Sequence, residues 1–230
     1  DNTEAVEIYS GRYIFAALDT NGKVHAWGYC GATCDITSVP TGALSNVKTV
    51  VGTATAFVAL TNDGFAYGWG DSTQGGEVPG ASSGVQLGNI KELVTAGGAV
   101  AALLNDGSVV AWGKADPNPN NNEVISVPVG IQDIRAIISS NFAFTCIKYD
   151  NTVVAFGSDT TQQVSGMPSN LGPIKAIYTN GMATVAWTQA DEIISWGSDG
   201  TDNGILTTPA TLSGSAATGD GGLLVSQIYG

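Results

Sequence analysis

Basic side chains are scarce in this sequence of 230 residues, which has eight Lys and Arg against twenty Asp and Glu and a formal net charge of −12. Such a charge repels phosphate backbones and anionic lipid surfaces, so we do not expect a nucleic acid partner. No apolar run approaches the roughly 20 residues that a membrane-spanning helix needs, so direct membrane insertion is not expected either. With 43% hydrophobic and 12% charged residues, the composition indicates a well-packed globular protein.

Residues and motifs that commonly carry catalysis are also missing. The only histidine is His25, and the sequence has no nucleophile elbow, zinc-protease motif or phosphate-binding loop. We therefore expect a protein that is not an enzyme and that uses no cofactor and no metal ion.

Cysteine is limited to three residues. Cys30 and Cys34 lie close together in the turn-like segment "YCGATC", where a short disulfide is sterically allowed and two free thiols are the alternative. Cys146 lies in the apolar segment "FAFTCIK", which predicts a buried free thiol. The close cysteine pair, the low Lys and Arg content and a first residue other than Met favour an extracellular or organelle-lumen protein with its signal peptide removed.

The sequence is rich in one repeated pattern, an aromatic residue followed by glycine at the end of an apolar segment. The pattern returns at intervals of 40 to 44 residues. Each unit contains a β-branched segment, a second apolar segment, a turn of the Asn-Gly or Asp-Gly type, and then the aromatic segment. A polar loop and a short segment ending in proline follow, which suits a strand at a sheet edge. The pattern thus predicts four antiparallel strands per unit. The aromatic positions are Trp27, Trp69, Trp112, Phe156 and Trp196, and the fourth segments end near Val39–Pro40, Val78–Pro79, Val127–Pro128, Met167–Pro168 and Thr208–Pro209.

Four short strands cannot bury both faces of their own sheet, so units of this length are expected to pack side by side as the blades of a β-propeller. We interpret the five aromatic residues as structural wedges between neighbouring blades. The prediction is one all-β domain over residues 1–230. Its repeats are 5–46, 47–89, 90–133, 134–173 and 174–215, with a partial sixth repeat at 216–230.

The partial sixth repeat stops before its aromatic strand. Two explanations stay open. The chain is a fragment of a ring of six or seven blades, or another chain completes the last blade by adding to its exposed edge.

The segments "ALTNDGFAYGWGDSTQGGEVP" and "ALLNDGSVVAWG" resemble the regulator of chromosome condensation repeat family, and the resemblance extends from about Val6 to the end of the chain. It implies a β-propeller. The short period and the loop "WGDSTQGGEVP" are most similar to the compact bacterial branch typified by beta-lactamase inhibitor protein II. The chromatin-associated member is a nucleotide exchange factor, but this sequence has neither a long insertion to contact a GTPase nor a basic tail.

Two sets of loops are expected at one end of the sheets, namely those between the first and second strands and those after the aromatic strand. Variable loops on a rigid scaffold are common recognition sites, and Tyr and Arg dominate many interfaces. We therefore predict a noncatalytic protein-binding propeller, a subunit or scaffold of a secreted or lumenal assembly. A carbohydrate-binding module is the first alternative, and a secreted enzyme inhibitor is the second, by resemblance. Packing on the core is the alternative role for each of the candidate binding residues. These are Tyr9, Arg12, Tyr13, Tyr29 and Phe142.

Overall fold

The computed structural model describes residues 4–32, 35–40, 44, 46–84, 86–115 and 124–198. Within these ranges the chain forms fifteen β-strands and two 3-10 helices of three residues each. None of the helices in this part of the chain is long and apolar enough to span a bilayer. The prediction of an all-β protein is confirmed.

The strands form five antiparallel sheets of three strands, each ordered as in the chain. The first sheet contains β1 (Ala5–Ser10), β2 (Ile14–Asp19) and β3 (Val24–Gly28), and the second contains β4 (Val47–Gly52), β5 (Ala56–Thr61) and β6 (Ala66–Gly70). The third contains β7 (Ile90–Ala96), β8 (Gly98–Leu104) and β9 (Val109–Lys114), and the fourth contains β10 (Ile134–Ser139), β11 (Ala143–Lys148) and β12 (Val153–Gly157). The fifth contains β13 (Ile174–Thr179), β14 (Ala183–Thr188) and β15 (Ile193–Gly197).

The turns between second and third strands follow the residue types seen in the sequence. Gly64 and Gly107 have φ values of 85° and 81°, and Asn151 and Asp191 adopt 66° and 63° in the fourth and fifth sheets. These residue types tolerate a positive φ, which two-residue hairpin turns require. The local sequence therefore determines where each hairpin reverses.

The first strand of every sheet carries a β-bulge at the same place. In each sheet the register with the second strand shifts across the second residue of the first strand, so that one residue is left without a direct partner. The residue at the bulge is a cation in four sheets and valine in the first. The bulged residues are Val6, Lys48, Lys91, Arg135 and Lys175.

The predicted fourth strand does not form in the described residues, so the blades have three strands instead of four. The chain after β6 is taken up by 3-10 turns at Ser72–Gln74 and Ala81–Ser83. The chain that follows the third strand contacts that strand through isolated backbone hydrogen bonds. In the second sheet, for example, Ala66 N donates to Leu87 O at 3.2 Å. Proline has no N–H for a continuous ladder. Irregular chain occupies Val39–Pro40, Val78–Pro79, Val127–Pro128 and Met167–Pro168, and Thr208–Pro209 lies outside the described residues.

The chain divides into two compact units, Asp1–Val127 with three sheets and Pro128–Gly230 with two. Within each unit the apolar core lies between neighbouring sheets. The predicted single domain over 1–230 stays a prediction, and the partial sixth repeat at 216–230 lies outside the described residues.

Candidate functional site

The loops at one end of the sheets are held by a recurring set of backbone hydrogen bonds. At this end, which we call the loop-bearing end, the first strand stops, the second begins and the third stops. In the first sheet Tyr29 N donates to Tyr13 O at 3.0 Å. In the same unit, Arg12 N donates to Thr53 O of the next sheet at 3.3 Å. These bonds anchor the loops both within a sheet and between neighbouring sheets, so their side chains project from a fixed base.

Three of the predicted binding residues come together at the loop-bearing end of the first sheet. Tyr13 and Tyr29 are 51% and 68% exposed. The guanidinium carbon of Arg12 lies 5.2 Å from the ring centroid of Tyr13, a cation–π contact. The loops thus present two exposed tyrosines that are joined through their backbones, with one cation on the ring of Tyr13.

The other two predicted residues are placed differently. Tyr9 is half-buried against the core between the first and second sheets. Its hydroxyl donates to Glu7 Oε2 at 2.8 Å, and burial together with this carboxylate raises the pKa of Tyr9 to about 12. Phe142 is half-buried in the second unit. Tyr9 therefore packs against the core of the first unit, and Phe142 belongs to the second unit.

The first sheet has an exposed apolar face that sequence reasoning missed. We call it the outer face, the side of β1–β3 turned away from the second sheet. Ile8, Phe15 and Trp27 on this face are 66%, 46% and 45% exposed, and the rings of Phe15 and Trp27 stack with centroids 5.9 Å apart. The equivalent residues of the second sheet are at most 4% exposed; they are Val50, Phe57 and Trp69.

Trp27 thus differs from the other four aromatic residues that we predicted as wedges. Those four are nearly fully buried, whereas Trp27 is 45% exposed. The indole Nε1 of Trp112 donates to Gly75 O at 2.9 Å, and that of Trp196 donates to Gln163 O at 3.0 Å. Both acceptors lie in the loop that follows the aromatic strand of the preceding repeat. Trp27 is therefore set apart from the four by its exposure, and its role as a wedge stays a prediction. The four buried residues are Trp69, Trp112, Phe156 and Trp196.

A histidine–carboxylate pair lies on the outer face of the first sheet. His25 Nε2 is 2.8 Å from Asp19 Oδ2, and Asp19 Oδ1 also accepts from the backbone N–H groups of Asn21 and Lys23. The bond from His25, followed by these backbone bonds, holds the pKa of Asp19 below its usual range. Asp19 therefore organises the β2–β3 turn. Across the part of the chain that the structure covers, no group of three or more His, Cys, Asp or Glu is placed to hold a metal ion.

The cysteines occupy two environments. Cys30 is buried and disulfide-bonded, and Cys34 lies outside the described residues. Cys146 is a buried free thiol whose pKa is raised by burial to about 12. Such a thiol stays protonated and unreactive at neutral pH.

Two clefts of about 400 and 390 Å³ flank the loop at 71–84 in the first unit. Ser72, Glu77 and Val78 line both clefts. Trp112 lines one of them, but its ring is almost fully buried. These clefts therefore offer polar groups without an open Trp ring face on which a sugar could stack.

No protein-family model matches the sequence, and no curated protein sequence matches it. Several solved structures are similar. Prp20p from Saccharomyces cerevisiae superposes with a TM-score of 0.57 at 17% identity, covering 85% of this chain and 58% of Prp20p. The CRINKLY WD40 ectodomain of the Arabidopsis thaliana receptor kinase ACR4 superposes with a TM-score of 0.53 at 17% sequence identity, covering 87% of this chain and 67% of the ectodomain. Human WBSCR16 superposes with a TM-score of 0.53 at 16% sequence identity, covering 85% of this chain and 62% of WBSCR16.

These similarities show the fold, a β-propeller like that of Prp20p, the yeast RCC1. The predicted fold and the predicted likeness to the regulator of chromosome condensation repeats are thereby confirmed at the level of architecture. The chain spans less than two thirds of the length of Prp20p and of WBSCR16.

Proposed function

We propose that this chain is a noncatalytic propeller that binds another protein through the loop-bearing end of its first sheet. The observation that carries the proposal is the exposed pair Tyr13 and Tyr29, joined by a backbone hydrogen bond and accompanied by Arg12. Large rigid rings held on an anchored loop lose little conformational entropy on binding, which is why Tyr and Arg are frequent interface hot spots.

The structural comparisons support a protein partner. Prp20p is described by its binding to Gsp1p and histones, and yeast RCC1 has been crystallised with Kap60. For the present chain the net charge of −12 favours a partner with a positive surface, because complementary potentials accelerate encounter.

The test of the proposal is the double substitution Tyr13→Ala and Tyr29→Ala. We use the full chain as bait to capture a partner, then measure the affinity of the purified partner for both forms. Loss of two hot-spot rings is expected to cost at least about 2 kcal/mol, a factor of about 30 in Kd. Tyr149→Ala is the matched control, because Tyr149 is an exposed tyrosine of the second unit. Equal affinity of the double variant and the control would refute this site.

We further propose an extracellular or organelle-lumen location, with the chain as a subunit or scaffold of a larger assembly. The disulfide at Cys30 supports this location, because structural disulfides persist mainly in oxidising compartments. Fractionation of the source cells with an antibody against the chain tests it. Recovery in the cytosol with a reduced Cys30 would contradict it.

Two alternative functions are tested separately. A carbohydrate-binding module would use the clefts beside loop 71–84, whose lining includes Glu77, Ser72 and Gln86, and a glycan array tests this function. A secreted inhibitor of the compact beta-lactamase inhibitor protein II type would be detected by titration against hydrolases, including a serine β-lactamase. Binding to a glycan on the array that Glu77→Gln abolishes would favour the carbohydrate-binding module.

A further inference from the structure

We propose that Asn180, in the loop between β13 and β14, is a site of spontaneous deamidation, a covalent modification that replaces its side-chain amide with a carboxylate. This modification lies in the second unit and needs no partner, so it is independent of the proposed function. The sequence has three Asn-Gly pairs, in which the reaction is least hindered because glycine has no side chain beside its own nitrogen. Two of them lie in the described residues, Asn21–Gly22 and Asn180–Gly181, and Asn203–Gly204 lies outside them.

The reaction uses the backbone nitrogen of the glycine as its nucleophile. Gly181 N attacks the side-chain carbon Cγ of Asn180, so that an N–Cγ bond forms while the bond between Cγ and Nδ2 breaks. The proton of the Gly181 N–H leaves with the Nδ2 amide group as ammonia. Water then opens the cyclic imide. Cleavage of the new N–Cγ bond gives aspartate, and cleavage of the bond from the same nitrogen to the main-chain carbonyl carbon gives isoaspartate. Water is therefore the only co-reactant.

The two described pairs differ in the state of this nucleophile. Gly22 N donates to Asp19 O at 2.9 Å in the β2–β3 turn, so this hydrogen bond must break before the nitrogen can attack. Gly181 N donates to no acceptor in the residues that the structure describes. Both asparagines are exposed, so water reaches either side chain. The bond at Gly22 therefore protects Asn21, and Asn180 lacks this protection.

The side-chain carbonyl of Asn180 is held by two donors. Its Oδ1 accepts from Met182 N at 2.9 Å and from Ala183 N at 2.8 Å. Negative charge develops on this oxygen when Gly181 N attacks, so the two N–H groups stabilise the tetrahedral intermediate in the manner of an oxyanion hole. Within the described chain, the leaving group Nδ2 makes no hydrogen bond that would have to break first. Asn180 therefore combines an unbonded nucleophile with a polarised carbonyl.

The modification changes the loop-bearing end of the second unit. Either product adds one negative charge beside Met182, which is 42% exposed. Isoaspartate also adds one carbon atom to the main chain before Gly181, whose carbonyl oxygen accepts from Asn141 N of the fourth sheet at 3.1 Å. We therefore expect isoaspartate to weaken this contact between the fourth and fifth sheets, whereas aspartate keeps the original chain length and an oxygen for both backbone donors.

The test follows each asparagine in the full chain. The purified protein is incubated at mildly alkaline pH and digested, and peptide mass spectrometry measures over time the fraction of each Asn-Gly pair whose amide has become an acid. In the folded chain we expect Asn180 to deamidate about fivefold or more faster than Asn21, because opening one hydrogen bond corresponds to a factor of this order. In guanidinium chloride neither glycine N–H is held, so we expect about equal rates.

Two outcomes of this measurement would overturn the proposal. The first is a rate at Asn180 that is equal to or lower than the rate at Asn21 in the folded chain. The second is an advantage of Asn180 that persists in the unfolded chain, since it would then arise from local sequence and not from the hydrogen bonds of the two turns.

Two serine variants provide matched controls, both made in a chain that carries Asn203→Ser so that the third pair does not react. Asn180→Ser has no amide to lose and keeps a short side-chain oxygen for the N–H groups of Met182 and Ala183. Asn21→Ser removes the amide of the protected pair. Ion-exchange chromatography of the aged protein is expected to show an acidic form that is missing in Asn180→Ser and retained in Asn21→Ser. An acidic form that appears equally fast in Asn180→Ser would refute the assignment.

Discussion

The contribution of the aromatic residues to stability can be worked out from their burial, and Trp112 and Trp27 give the sharpest contrast. Trp112 is 5% exposed, lies in the core between the second and third sheets and donates to Gly75 O at 2.9 Å. Truncating a buried Trp to Ala costs about 3–5 kcal/mol, from lost burial and the cavity that remains. Trp27 has the same place in its repeat but is 45% exposed. Because about half of its burial is absent and solvent can fill the space, Trp27→Ala is expected to cost about 1–2 kcal/mol.

A finer comparison isolates the hydrogen bond. Trp112→Phe keeps a large apolar ring but leaves Gly75 O without its donor, which is expected to cost about 1 kcal/mol beyond the change in ring size. Trp69 is equally buried, but its Nε1 has no acceptor among the described residues. Trp69→Phe removes a buried unpaired donor, so the same change of ring is expected to cost less there.

Urea denaturation of each variant gives the free energy of unfolding. All three tryptophans belong to the first unit, so they are compared on the same transition. Equal costs for Trp112→Ala and Trp27→Ala would refute the assignment of the outer face as open. A larger cost for Trp69→Phe than for Trp112→Phe would refute the role of the indole–carbonyl bond.

Two further properties follow from the described contacts. The pKa of Asp19 is lowered by His25 and by backbone donors, so its contribution to stability is present above the pKa of the unfolded chain. That contribution is lost as the pH falls through the lower pKa of Asp19 in the folded chain. In denaturation curves measured between pH 2 and 6, Asp19→Asn should therefore reduce the fall in the free energy of unfolding at acid pH. An unchanged fall would contradict this role of Asp19. The buried thiol of Cys146, with its pKa raised to about 12, should not react with a disulfide reagent at pH 8 until the chain unfolds. Rapid labelling of native protein would show that Cys146 is accessible, and a Cys146→Ser variant supplies the blank.

Local sequence by itself determined the all-β class, the hairpin turns and the order of three strands in each repeat. Residue types such as Asp-Gly and Asn at positive φ act within a few residues of chain, so they can be recognised without knowing what packs nearby. The loop-bearing end could be predicted for the same reason, because Tyr13 and Tyr29 follow strand ends that the pattern locates.

Only the tertiary structure decided which faces are covered. "HAWG" and "VAWG" end in the same Trp-Gly pair, yet Trp27 is half exposed and Trp112 is buried, because burial depends on a neighbouring sheet that no local pattern encodes. Alternation places Ile8 and Tyr9 on opposite sides of β1, but only packing against the second sheet shows that Tyr9 faces the core and Ile8 the solvent. The fourth strand is absent from the described residues for the same reason. A segment becomes a strand only where a continuous ladder forms, and that depends on long-range pairing and not on the segment's own residues.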